Sequence, residues 1–167
     1  MIAFGPVPSR RLGRSLGINN IPPKVCTYSC VYCQVGKTTR MQVDRMPFYD
    51  PEAVCRDVRT QIAAARRKGE AIDYLTLVPD GEPTLDVNLG NEIELLKSLG
   101  LKIAVITNGA LAWRKDVRAD LAKADWSFID QLIRKKQLIK MKYKGHRFYM
   151  RVISQQRSSG GISPPER

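Results

Sequence analysis

The feature that most constrains how this chain folds is an alternation of short apolar runs with amphipathic helical segments, repeating about every 30 residues. Ser15-Leu16-Gly17-Ile18-Asn19 reads as a short first strand, closed by Pro22-Pro23. Asp50-Pro51-Glu52 then opens a helix. Asp50 can cap it, Pro51 suits the first turn, and Glu52 complements the positive end of the helix dipole. Val54, Val58, Ile62 and Ala65 recur at helical spacing until Gly69 stops the element. A second strand is predicted at Tyr74–Val78, a second helix over Val87–Leu99, a third strand at Lys102–Thr107 and a third helix over Arg114–Lys123. This order predicts an α/β fold with a parallel sheet made of right-handed βαβ units.

In such sheets, ligands bind beyond the carboxyl ends of the strands. Three motifs fall at those ends: a cysteine loop after the first strand, Gly81-Glu82 after the second and Asn108-Gly109 after the third. The loop reads Cys26-Thr27-Tyr28-Ser29-Cys30-Val31-Tyr32-Cys33, a C-x-x-x-C-x-x-C pattern that can turn three thiolates towards one metal centre. Three protein ligands on a four-iron cluster leave one iron open to bind a substrate, whereas a closed four-ligand site transfers electrons or holds the fold. A structural zinc site would need a fourth ligand. Cys55 and His146 are the candidates, and neither lies at finger-like spacing. Cys55 reads as a small residue at the core edge of the first helix. A ferredoxin-type cluster and cysteines buried by coincidence are the remaining alternatives.

Composition sets the class. The chain has 167 residues, 43% apolar and 26% charged, as expected for one globular domain. Met1-Ile2-Ala3-Phe4-Gly5-Pro6 lacks the pattern of a secretory signal, and no apolar run is long enough to span a bilayer. The expected location is cytoplasmic, with no membrane partner. In a reducing compartment, three of four cysteines clustered within eight positions suggest metal rather than disulfides. The net charge of +12 is uneven: residues 1–126 hold 18 Lys/Arg and 14 Asp/Glu, whereas residues 127–167 hold 10 and 2.

With Cys26, Cys30 and Cys33 in this spacing, the sequence resembles the radical S-adenosylmethionine (SAM) superfamily over about Phe4 to Trp126. The resemblance implies an incomplete parallel (β/α) barrel with room for three to four βα units. It implies a 4Fe-4S cluster on the three cysteines, whose free iron chelates the methionine amino and carboxylate groups of SAM. The implied reaction is that of an oxidoreductase: one-electron cleavage of SAM to a 5′-deoxyadenosyl radical that abstracts hydrogen from an unknown substrate. The electron donor would be a flavodoxin or ferredoxin. Tyr32 matches the family aromatic beside the adenine, and is otherwise a loop aromatic packed against the cluster. Pro79-Asp80-Gly81-Glu82-Pro83-Thr84 matches the family's Gly-Gly-Glu motif, with Asp80 in place of the first glycine. A strand-end carbonyl and the Glu82 carboxylate can both accept hydrogen bonds from the SAM ammonium; the plainer reading is a turn leaving a strand. Thr107-Asn108-Gly109 also resembles a family segment, which makes Asn108 a candidate cofactor contact, although Asn-Gly is a common turn dipeptide. Gly5-Pro6-Val7-Pro8-Ser9-Arg10-Arg11-Leu12-Gly13 is similar to the subgroup related to tRNA wybutosine-synthesis radical enzymes. Arg10 and Arg11 there are phosphate or carboxylate contacts, or solvated arginines on an arm.

The punctuation changes after Trp126. Two regions are therefore expected: a partial radical SAM βα domain over residues 1–126 and a basic, poorly defined tail over 127–167. The tail carries Arg134-Lys135-Lys136, Lys140, Lys142, Lys144 and Arg147 with Tyr143, Phe148 and Tyr149 interleaved, and Leu132, Ile133, Leu138 and Ile139 allow a helical spacing without caps. One reading is an RNA-binding arm, which would make RNA a possible substrate. The other is a truncation or frame change that replaced the remaining strands. In that case the chain is a non-catalytic iron–sulfur-binding remnant whose open rim does not shield a radical.

Overall fold

A computed structural model describes residues 2–30, 33–129, 138–143 and 146–151, with side chains for 2–30 and 33–127. Tyr32 and much of the basic tail, including Arg134-Lys135-Lys136 and Lys144, lie outside the described residues.

The chain opens with an antiparallel pair, β1 (Ala3–Ser9) and β2 (Gly13–Ile18). A small parallel pair follows, β3 (Val25–Cys26) with β4 (Arg40–Met41), bracketing the cysteine loop. Helix α1 (Pro51–Arg67) leads to β5 (Tyr74–Leu77), α2 (Leu89–Lys97) to β6 (Lys102–Thr107), and α3 (Lys115–Leu121) to β7 (Trp126–Ile129). β8 (Leu138–Tyr143) and β9 (His146–Arg151) form an antiparallel pair. The main sheet runs β1-β2-β5-β6-β7-β9-β8, and its central strands β2, β5, β6 and β7 are all parallel. Right-handed crossovers between adjacent parallel strands place all three helices on one face. Accordingly, α1 packs on α2 and α2 on α3.

The predicted elements form for the predicted reasons. The Asp50 carboxylate accepts from the backbone N–H groups of Glu52 and Ala53, Pro51 occupies the first turn, and Gly69 takes φ +70° past the helix end. The face of α1 bearing Val54, Val58 and Ile62 is buried against the sheet, whose helix-facing residues include Leu16, Ile18, Leu75, Leu77, Ile103 and Val105. On the other face β2 and β5 present small or polar groups. Ser15 and Thr76 share a hydrogen bond there, and the Phe4 ring lies over Gly17 where a Cβ would collide with it.

Two elements differ from what the sequence predicts. β1 carries Pro6 and Pro8, residues that disfavour a strand interior; it is an edge strand, where a missing N–H costs no ladder bond. A fourth parallel strand, β7, pairs with β6 over Trp126–Ile129. Leu138 and Ile139 lie in β8 rather than a helix, since Ile139, Met141 and Tyr143 alternate with Lys140 and Lys142 at the strand period of two.

Candidate functional site

At the carboxyl ends of β2, β5 and β6 lies an opening of about 270 Å³. Cys26, Cys30 and Cys33 line it together with Gly81, Glu82 and Asn108, so six of the seven candidate site residues converge here.

The loop is tied down at its base. Lys24, at φ +62°, donates its N–H to the Asp80 carbonyl (2.6 Å), and its own carbonyl accepts from Thr39 and Arg40 N–H (3.1 and 3.2 Å). Glu82 N–H donates to Val25 O (3.0 Å), bringing the two backbones so close that a Cβ on Gly81 would lie 2.1 Å from that carbonyl oxygen. Position 81 is therefore glycine because of a close backbone approach.

Glu82 is the centre of the rim. Only 1% exposed, its Oε1 accepts from Thr84 N–H (3.1 Å), Thr84 Oγ1 (2.5 Å) and Thr107 Oγ1 (2.5 Å), and its Oε2 accepts from Asn108 N–H (2.8 Å). Burial pushes its acidity towards a higher pKa, and the threonine and backbone donors pull it back. A carboxylate offers about four lone-pair sites. Oε1 is saturated, and Oε2 has one direction left.

Asn108 joins this carboxylate to the thiols. Its Nδ2 donates to Thr27 Oγ1 (2.8 Å) and to Cys26 Sγ (3.5 Å), while its Oδ1 accepts from Ala110 N–H (2.9 Å). The Cys26 thiol is raised above its ordinary pKa mainly by burial, with smaller upward contributions from Glu82 and Cys30. Cys30 is half-buried and Cys33 exposed. Cys55 is buried in α1, its Sγ 3.9 Å from the Leu95 carbonyl, as its place at the core edge suggested.

Among the described residues, no three Cys, His, Asp or Glu side chains converge tightly enough for one metal ion. A polynuclear iron–sulfur cluster distributes its ligands over different iron atoms, so three thiols spread around an opening suit it better than they suit a single ion. The donor set fits a cluster. Burial that disfavours a bare thiolate at Cys26 is offset once a metal charge is present.

Beneath the rim is a polar layer that sequence reasoning missed. The Arg45 guanidinium donates to Thr84 O (2.9 Å), Asp86 O (2.6 Å), Asp116 (2.8 Å) and Asp120 (2.6 Å), clamping the segment after the cysteine loop to the β5–α2 connection and to α3. Hydrogen bonds from Arg114 first, then Arg45, hold the Asp116 carboxyl well below the usual range. Next to this clamp, Asn20, Asp86 and Glu92 are fully buried, and Asn20 Nδ2 donates to Glu92 Oε2 (3.1 Å). Burial and the neighbouring Asp86 push Glu92 up to about 8, and burial pushes Asp86 up to about 6. Nothing in the sequence marked these positions. Thr107, by contrast, stood in the quoted Thr-Asn-Gly motif, although its bond to Glu82 was not foreseen.

Arg10 and Arg11 lie in the turn between β1 and β2, at the start of β2. That is the end of the sheet away from the cysteines, so the turn does not line the opening.

The sequence matches the radical SAM superfamily over residues 20–131. It is 56% identical over 124 residues to a UPF0026 protein of Methanocaldococcus jannaschii, covering 74% of this chain and 38% of that protein. It is 39% identical over 124 residues to a UPF0026 protein of Synechocystis, covering 73% of this chain and 44% of that protein. A GTPase Obg of Brachyspira hyodysenteriae is 37% identical over 123 residues, 73% of this chain and 18% of that protein. The chain thus spans less than half the length of these relatives. Among the described residues no helix is long and apolar enough to cross a membrane.

Proposed function

The chain belongs to the radical SAM superfamily, and from that premise we propose that Cys26, Cys30 and Cys33 hold a 4Fe-4S cluster at the rim and that the adjoining strand ends hold SAM. When bound, these groups supply a reductive cleavage of the sulfonium that yields a 5′-deoxyadenosyl radical for hydrogen abstraction. The observation that carries the reading is the convergence of the three thiols with Glu82 and Asn108 around one opening.

The chain's own residues orient and shield. Gly81 lets the strand end approach the loop, so that Pro79, Asp80 and the thiols line the same opening. The free direction of Glu82 Oε2 is the acceptor for an ammonium group, in an orientation fixed by Thr84, Thr107 and Asn108. Tyr32 takes the place beside the adenine on the strength of its sequence position alone. The exposed edge at Cys33 gives a flavodoxin- or ferredoxin-like electron donor its nearest approach.

A second reading is favoured by one observation: the chain spans 38% and 44% of its UPF0026 relatives. On that reading it binds the cluster without turnover, the enclosure of the radical resting on parts of those relatives that this stretch does not match. Anaerobic reconstitution with iron and sulfide, followed by SAM and dithionite, separates the two. The enzyme reading expects the absorption and EPR signals of a 4Fe-4S cluster, together with 5′-deoxyadenosine. Cluster formation without 5′-deoxyadenosine overturns it for this chain, and failure to form a cluster overturns both.

A further inference from the structure

Several exposed cations gather at the end of the sheet where the parallel strands start. Ser15 of β2 pairs with Tyr74 of β5, and Tyr74 pairs with Lys102 of β6, so these strands start level with one another. The turns that feed the strand starts therefore share one end of the sheet, opposite the cysteine rim. The β1–β2 turn and the start of β2 bring Arg10 and Arg14 there, the end of α1 brings Arg66, Arg67 and Lys68, and the α2–β6 connection brings Lys97 and Lys102. All are exposed. Three carboxylates share this end: Asp73 accepts from Arg14 N–H (2.8 Å), Asp125 accepts from Ile103 N–H (2.7 Å), and Glu70 follows the end of α1, so the cations named above outnumber them seven to three.

This end also has a cavity. Between α1 and Leu99, two residues beyond α2, lies a depression of about 360 Å³, lined by the apolar Ile62, Ala63 and Leu99 and by Arg59, Arg66 and Arg67. Arg45, Arg56 and Arg114 all have carboxylate partners, whereas none of these three guanidiniums forms an ion pair among the described residues. Unpaired guanidiniums around an apolar floor combine two kinds of recognition. The planar forks bind phosphate oxygens in pairs, and the floor, with the guanidinium faces, takes a flat apolar ring.

We propose that the end of the sheet opposite the cysteine rim docks a single-stranded nucleic acid, one nucleotide seating its base on Ile62, Ala63 and Leu99 and its phosphates between Arg59, Arg66 and Arg67. Cations spread over three separate connections suit a repeating polyanion better than a single anionic group. A base can enter the depression only when unstacked, which selects single strands over duplex. The inference is independent of the cluster.

The test is fluorescence anisotropy of a labelled oligoadenylate with the full chain, across a salt series. The expected result is binding that weakens steeply with salt. In the variant R59A/R66A/R67A, affinity should fall at least about 30-fold and the log–log salt slope should shrink by about two, at roughly 0.7 per phosphate contact. Removing the same charge at the opposite end, in K37A/R40A/K115A, should change affinity less than about threefold. Ala63 is exposed, so Ala63→Glu tests the cavity without disturbing the core; it should weaken binding as much as losing one arginine. Equal loss in both triple variants, no loss in either, or equal affinity for a duplex of the same sequence overturns the proposal. Competition by polyglutamate as strong as that by unlabelled oligoadenylate assigns the face to an acidic protein instead and overturns it as well.

Discussion

The side-chain amide of Asn108 donates to the sulfur of Cys26 across 3.5 Å, while its backbone N–H donates to Glu82. One residue at the end of β6 therefore touches both the thiol loop and the buried carboxylate at the end of β5. Donors aimed at a cluster sulfur stabilise the extra negative charge of the reduced state and raise its potential. Asn108→Ala should lower the midpoint potential of the reconstituted cluster by about 20–65 mV, the one-electron equivalent of a single hydrogen bond. An EPR-monitored redox titration reads this directly, and an unchanged potential means that the bond is absent once iron is bound.

Removing the carboxylate at position 82 strands several donors at once. Thr84 N–H loses its acceptor in a fully buried place and Asn108 N–H in a half-buried one. Glu82→Ala should cost about 1–3 kcal/mol in urea unfolding. Glu82→Gln, which keeps one oxygen acceptor, should cost less. Equal stability of all three proteins would show that the rim is wet and the carboxylate not needed for its shape.

Stability should also depend on pH through Glu92. Its pKa is raised from the ordinary carboxylate range to about 8 in the folded chain, so the native state holds a proton that the unfolded state has released. The associated stability is fully present below the unfolded pKa and is lost as pH rises through about 8. Urea midpoints should therefore fall between pH 5 and pH 8.5. Glu92→Gln keeps an acceptor for Asn20 and cannot ionise, so it should flatten the profile and be the more stable protein at the alkaline end. A wild-type profile already flat across this range rules the buried proton out.

Gly81→Ala addresses the contact between strand end and loop. Its Cβ would lie 2.1 Å from the Val25 carbonyl oxygen, a backbone atom that cannot swing aside. Overpacking of this kind costs about 1–3 kcal/mol. The displacement falls next to Cys26, so iron retained after reconstitution should drop along with thermal stability. Retention of full iron content would mean that the loop binds iron without its seat on β5.

Local signals made much of this legible. Asp50 and Pro51 fix the start of α1 through backbone groups within three residues of them, and Lys102–Thr107 is a strand over the bounds its apolar run suggested. The three motifs at strand ends came together because the parallel topology puts every such end on one rim. Non-local relations were not legible. β1 depends on being at an edge, Arg45 on carboxylates 71 and 75 residues later, and Glu82 on a threonine 25 residues away. No periodicity encodes such pairings, because each is set by where the sheet places two strand ends.

Lys24 has one further consequence. Its N–H and carbonyl fasten the strand end at Asp80 and the returning chain at Thr39 and Arg40 to a single residue, so the cysteine segment is a ring closed by backbone bonds rather than an open excursion. The entropy of bringing the ring's ends together is spent on folding. A metal centre arriving there meets a loop whose ends are already joined. Its affinity is governed by the residues between the fasteners and by the strand end on which the ring is seated, and lengthening the chain elsewhere should leave that affinity unaltered.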